Sequence, residues 1–189
     1  MDHSTHDVTL LSGFLFDVAR EYRGRPIFQQ IEGMLAGLDP NDPDAWVPIS
    51  AYNRLCEWVE QRVGSASVQR AGEAIVARAA PHMHEARRGE RLAPGALLRA
   101  AERLSHGLIR DPKGRGWQLL EERPCEAVVR RTQTFNCTLQ EGVLRSLLER
   151  AGLVSVLVEH ARCTRRGDPF CDYRLSWLPP SARQRASAR

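Results

Sequence analysis

Cys137, the run His160-Ala161-Arg162-Cys163, and Cys171 constrain this chain more than any other residues. Zinc favours thiolate and imidazole ligands, and three cysteines with one histidine make up a common tetrahedral structural set. The chain around them predicts how they meet. Val154, Val156, Val158 and His160 alternate along one expected strand, and Tyr173, Leu175 and Trp177 along another. Between them Thr164-Arg165-Arg166-Gly167-Asp168 reads as the turn of a β-hairpin, with Cys163 and Cys171 facing each other near its closed end. The spacing is not that of a zinc ribbon or finger. From spacing alone a second reading stays open, in which Cys137 and Cys171 are small buried hydrophobes and His160 is a surface strand residue.

The chain has 189 residues, enough for one domain with a usable core. Hydrophobic residues make up 42% and charged residues 26%, the balance of a soluble globular protein. No run approaches the ~20 apolar residues of a membrane span, and the start, Met1-Asp2-His3-Ser4-Thr5-His6, has no signal-peptide pattern. The expected compartment is therefore the cytoplasm. Five cysteines, an odd number, argue against a complete disulfide framework. The net charge of +4 comes almost wholly from arginines scattered among acids, without interleaved aromatics, so no nucleic-acid surface is expected.

The first half reads as helical. Apolar spacing predicts helices over Val8 to Arg20, Ile27 to Leu38, from about Ser50, over Val68 to Ala80 with Pro81 as its end, and over Gly95 to Leu108. Asp111 to Gly116 reads as a turn, followed by two antiparallel strands, Trp117 to Glu122 and Cys125 to Thr134, about a Pro124 corner. Thr138-Leu139-Gln140-Glu141 has the form of a capping box opening a helix through Arg150, closed by Gly152. Strands confined to the second half, beside a bank of helices, predict an α+β fold with a helical layer on an antiparallel sheet. The expected organisation is an N-terminal helical segment over residues 1–46, serving as part of the domain or as a dimerising arm. A ligand-binding domain over 47–178 and a disordered basic tail over 179–189 follow.

With hydrophobic strand, Cys163, the Gly167-Asp168 turn, Cys171, Tyr173 and Trp177 in this order, the stretch from about Ser50 to Trp177 resembles the 4-vinyl-reductase-type small-molecule-binding domains. These share a fold with haem nitric-oxide-binding domains and with a Golgi-tethering component. The resemblance is nearest to the sensory domain of bacterial activators that respond to phenol and xylene. It implies a zinc site of three cysteines and an acidic residue, beside a closed pocket for an aromatic effector. Cys163 and Cys171 match the last two cysteine ligands, and Cys137 stands where the first lies. The family's glutamate, three residues before the penultimate cysteine, is replaced by His160. The expected ligands are Cys137, His160, Cys163 and Cys171, with Glu159 as the alternative to His160. Glu159 should point to the opposite face.

The same resemblance implies an effector contacted by a histidine and a tryptophan, where His84 and Trp117 stand; His82, beside His84 at a helix terminus, is expected to line the same pocket. Trp117 also reads as a core aromatic, and His82 and His84 also read as residues suited to a helix C-terminus. Cys56 and Cys125 read as core or partly exposed thiols. No nucleophile elbow, phosphate loop, paired-histidine zinc motif or dinucleotide fingerprint is present, so no enzyme is expected. The combined expectation is a sensor module that binds a small, apolar or aromatic ligand and carries a structural zinc. It would act through a signalling partner or a homodimer. The alternatives are a protein-interaction factor of the tethering type, and a haem- or tetrapyrrole-binding accessory with His82 or His84 as axial ligand.

Overall fold

The computed structural model describes residues 5–85, 93–131 and 135–178. Strand β1 (Thr9–Leu11) leads into helices α1 (Gly13–Arg20) and α2 (Phe28–Met34). Then come β2 (Trp46–Pro48), α3 (Ile49–Val63), α4 (Ser65–Glu85), α5 (Pro94–Leu108) and β3 (Ile109–Arg110). The second half holds β4 (Trp117–Arg123), β5 (Glu126–Arg131), α6 (Cys137–Arg150), β6 (Val154–Arg162), a single 3-10 turn over Thr164–Arg166, and β7 (Cys171–Leu178). β1 lies between β2 and β3 in a small antiparallel sheet, and the larger sheet runs β4-β5-β7-β6, antiparallel throughout. The fold is α+β, with helices packed on antiparallel sheets.

Three expectations need correction. Val8 to Leu11 does not open a helix: Leu10 is wholly buried in β1, and its ladder with β2 overrides the helical spacing. Pro81 does not end α4, which runs on to Glu85; a proline removes one ladder hydrogen bond, and the turns on either side carry the helix past it. Thr138 is not the cap of α6. Asn136 is, its side chain accepting from the Leu139 amide at 2.9 Å. Thr138 and Glu141 are thereby released for tertiary bonds.

Two cores meet along the packing of α4 against α6. One is built from β1, α1, α3 and the first half of α4; the other from α5, α6 and the inward face of the larger sheet. The two helices touch backbone to backbone because each carries a glycine at the crossing. A Cβ on Gly142 would overlap the Gln69 carbonyl, and one on Gly72 would overlap that of Leu139. Any side chain there would force the layers apart.

A polar tie reinforces this crossing. The Glu60 carboxylate on α3 accepts from Thr138 Oγ1 at 2.6 Å, Asn136 Nδ2 at 3.2 Å and Arg165 Nη1 at 2.9 Å. One helical residue thus holds both the start of α6 and the turn between β6 and β7. Burial raises the Glu60 pKa, but these donors outweigh it and hold the carboxyl below its ordinary 4.5.

Gly142→Ala is expected to lower stability by about 2–3 kcal/mol in thermal or denaturant unfolding. Gly33→Ala, on an open face of α2 with no atom near the new methyl, should raise it by about 0.5–1 kcal/mol. For Glu60, a depressed folded pKa means stability present above the ordinary carboxylate range and lost as pH falls through the folded value. The stability difference between wild type and Glu60→Gln should therefore be greatest near neutrality and shrink in acid; a difference independent of pH would contradict the tie.

Candidate metal centre and apolar cavity

The N-terminus of α6 and the closed end of the β6–β7 hairpin bring Cys137, His160, Cys163 and Cys171 together, with one potential ligand atom from each within 4.8 Å of the others. Cys137 Sγ lies 3.6 Å from Cys171 Sγ and 3.9 Å from Cys163 Sγ. Zinc–sulfur bonds of about 2.3 Å in a tetrahedron place sulfurs about 3.8 Å apart. Both edges from Cys137 match that spacing. No disulfide joins any of the five cysteines.

Each ligand is placed by local structure. Cys137 is the first residue of α6, and its carbonyl accepts from the buried Tyr173 hydroxyl at 3.1 Å. Cys163 ends β6. Its amide donates to Asp168 Oδ2 at 2.8 Å, and its carbonyl accepts from the Arg166 and Asp168 amides, so the hairpin turn folds over the sulfur. Gly167 closes that turn at φ 90°, a conformation side chains disfavour. Cys171 starts β7, and the Thr164 amide and hydroxyl both reach its sulfur at 3.5 Å.

His160 stacks on its cross-strand partner Tyr173, ring centroids 4.5 Å apart. Its Nδ1 lies 3.2 Å from Glu141 Oε1, while Glu141 Oε2 accepts from Gln69 at 2.7 Å. His160 Nε2 is buried without a hydrogen-bond partner. A carboxylate on one ring nitrogen fixes the tautomer and turns the other toward a metal, the usual arrangement behind a zinc-bound histidine. Glu159 points outward to Arg174, 3.7 Å away, on the exposed sheet face.

The electrostatics are those of a site shaped for anionic sulfur. The Cys137 thiol, then His160, the Arg131 charge and Thr164, hold the Cys171 thiol far below its usual range despite burial. Donating to Cys171, together with burial, pushes the Cys137 thiol up. Burial disfavours a charged His160, but the Cys171 sulfur and the Glu141 carboxylate outweigh it and push the imidazole up to about 9.

A second feature adjoins the first. Helices α1 and α3 to α6, with β3 and β4, line a half-open cavity of about 140 Å³. Its lining is apolar and aromatic, with Phe14, Tyr52, Ile75, Trp117, Phe135, Val143 and Leu147 among its walls. Gln140 also lines it. The residue is 6% exposed, so its amide is largely withdrawn from water. Sequence reasoning missed it by reading the segment as a cap.

Of the other expected residues, Trp117 lines the cavity. His82 and His84 stand in the last turns of α4, and their side chains lie outside those described. Cys56 is wholly buried in the first core, where burial drives its thiol pKa up beyond the range of a reactive thiolate; Cys125 is half-buried. The residues 179–189 read as a tail lie outside the described residues.

No protein-family model matches this sequence, and a search of curated proteins finds no match. Solved structures do match. An H-NOX protein from S. oneidensis in the Fe(II)NO ligation state is 17% identical, with 89% of this chain and 100% of that one covered and a TM-score of 0.62. An unliganded Fe(II) H-NOX protein from K. algicida is 6% identical over 90% of this chain and 98% of its own, with a TM-score of 0.60. A structure in which haem redox potential is modulated through protein-induced porphyrin distortion aligns at 12% identity over 90% of this chain and 100% of its own, with a TM-score of 0.61. At these identities the likeness shows that the chain has the H-NOX fold.

Proposed function

We propose that this protein is a cytoplasmic small-molecule sensor module whose C-terminal hairpin is fixed by a structural zinc ion. The observation that carries the reading is that helix α6 serves both features: its first residue, Cys137, belongs to the metal cluster, and its next two turns, through Gln140, Val143 and Leu147, wall the cavity. Four protein ligands complete zinc's tetrahedron and leave no position for substrate, so the ion holds structure. A guest pressing on α6 then works against a helix anchored at its start. The ligand shifts the balance between two states only by its different affinity for them. A signalling partner or a homodimer contact reads the result. A filled core would have suited an assembly factor of the tethering type; a cavity walled by apolar residues suits a sensor.

The cavity also sets the guest. A dry cavity of roughly 150 Å³ accepts a benzene-sized molecule. Ordinary cofactor pockets span roughly 300–1,000 Å³. A haem needs an axial ligand as well as that room; no histidine or cysteine is among the described residues lining the cavity, and burial holds the Tyr52 phenol well above its ordinary range, away from the phenolate that binds iron. The described lining does not fit a haem. It fits a single ring bearing one neutral polar group, met by the Gln140 amide.

Purified, chelator-washed protein should hold one zinc per chain, weakened or lost in His160→Ala. Chelation should lower the melting temperature, since metal-binding energy becomes folding energy at such a site. Absence of zinc from the wild type would return the cysteines to the core. Phenol or toluene should raise the melting temperature, and Val143→Phe, which fills the cavity, should abolish the rise. Gln140→Leu should weaken phenol about tenfold, one neutral hydrogen bond's worth, and leave toluene unchanged. No rise with any single-ring compound would remove the sensor reading. Added haemin should give no Soret band; a band lost in His84→Ala would favour the haem alternative.

A further inference from the structure

Arg131 is the most deeply buried charged residue among those described, 1% exposed at the inward end of β5. The alternation Ala127, Val129, Arg131 puts it on the core face, where an apolar side chain is expected. Its Nη2 donates to the Phe135 carbonyl, while Nε and Nη1 have no partner. Among the described residues no carboxylate pairs with it. An isolated cation in such surroundings costs several kcal/mol unless an anion compensates it.

The nearest candidates for that anion are sulfurs. Arg131 stands directly across the β5–β7 ladder from Cys171, and its Nη2 lies 4.0 Å from Cys137 Sγ. Three thiolates, a divalent ion and a neutral imidazole carry one net negative charge. One guanidinium beside them brings the buried assembly to zero. We propose that Arg131 is the counter-cation of the metal centre and sets how tightly the ion is held, an inference that rests on the zinc reading above. Arg131 touches no metal and is a positioning residue: it acts through the thiolates. It also reaches the cavity, because the Phe135 carbonyl it holds belongs to a wall residue.

Two substitutions separate charge from hydrogen bonding. Arg131→Lys keeps the positive charge, and Arg131→Gln keeps a donor for Phe135 without it. Zinc affinity is read by competition with a chromophoric chelator, and melting is followed with and without chelator. The expected result is an affinity within a few fold of wild type for Arg131→Lys and at least tenfold weaker for Arg131→Gln, with the zinc-dependent rise in melting temperature reduced only in the latter. Wild-type zinc affinity in Arg131→Gln would overturn the proposal, even if both its forms melted equally earlier. If that variant fails to fold, Arg131→Lys decides alone: an affinity tenfold or more below wild type overturns the charge argument. A wild-type protein that binds no zinc would instead remove the metal reading itself.

Discussion

Three sulfurs gathered in a buried site, Cys137 Sγ 3.6 Å from one and 3.9 Å from the other, are a poor arrangement without an ion among them. As thiolates they repel at short range, and as thiols they make only weak, long hydrogen bonds. A divalent cation at their centre reverses both terms, and the buried His160 Nε2 then gains the partner it lacks. The metal cluster draws on three places distant in sequence: the start of α6, the end of β6 and the start of β7. What binds there therefore fixes the hairpin to the helix that crosses the rest of the protein.

That helix is where the two layers are joined. The glycine crossing of α4 and α6 lets backbones meet, so a small displacement of α6 cannot be absorbed by side-chain adjustment. Glu60 adds a charged tie from α3 to the cap of α6 and to the hairpin turn through Arg165. The Gln69–Glu141–His160 chain adds another, from α4 through α6 to β6. Cavity, metal cluster and helical layer thus share a few stiff connections. Under the proposed sensor reading, these connections are what would carry the effect of a guest in the cavity to the surface.

Much of this was legible in the chain. The alternation of β6 and β7, with a polar turn between, was enough to set Cys163 and Cys171 face to face, and the same alternation turned Glu159 outward and His160 inward. The helices α3 and α5 followed from apolar spacing. What escaped had tertiary causes. β1 has helical spacing but is claimed by β2, and Pro81 lies inside a helix long enough to continue past it. Glu141 stood in the right place for a local cap, yet Asn136 does that work and leaves Glu141 to orient His160. Gly72 and Gly142 are unremarkable until two helices are brought into contact. Arg131 carried a signal that could have been found: it sits at an inward position in the period-2 pattern of β5, where a charge calls for a buried partner.

The account turns on what occupies the Cys3His cluster, and X-ray absorption at the zinc edge tests it most directly. The predicted spectrum has three sulfurs at about 2.3 Å and one nitrogen at about 2.0–2.1 Å. In His160→Ala the nitrogen shell should give way to a water oxygen, or the metal should be lost. A first shell of oxygen and nitrogen without sulfur would mean that zinc binds elsewhere, and would contradict the site on which the account is built.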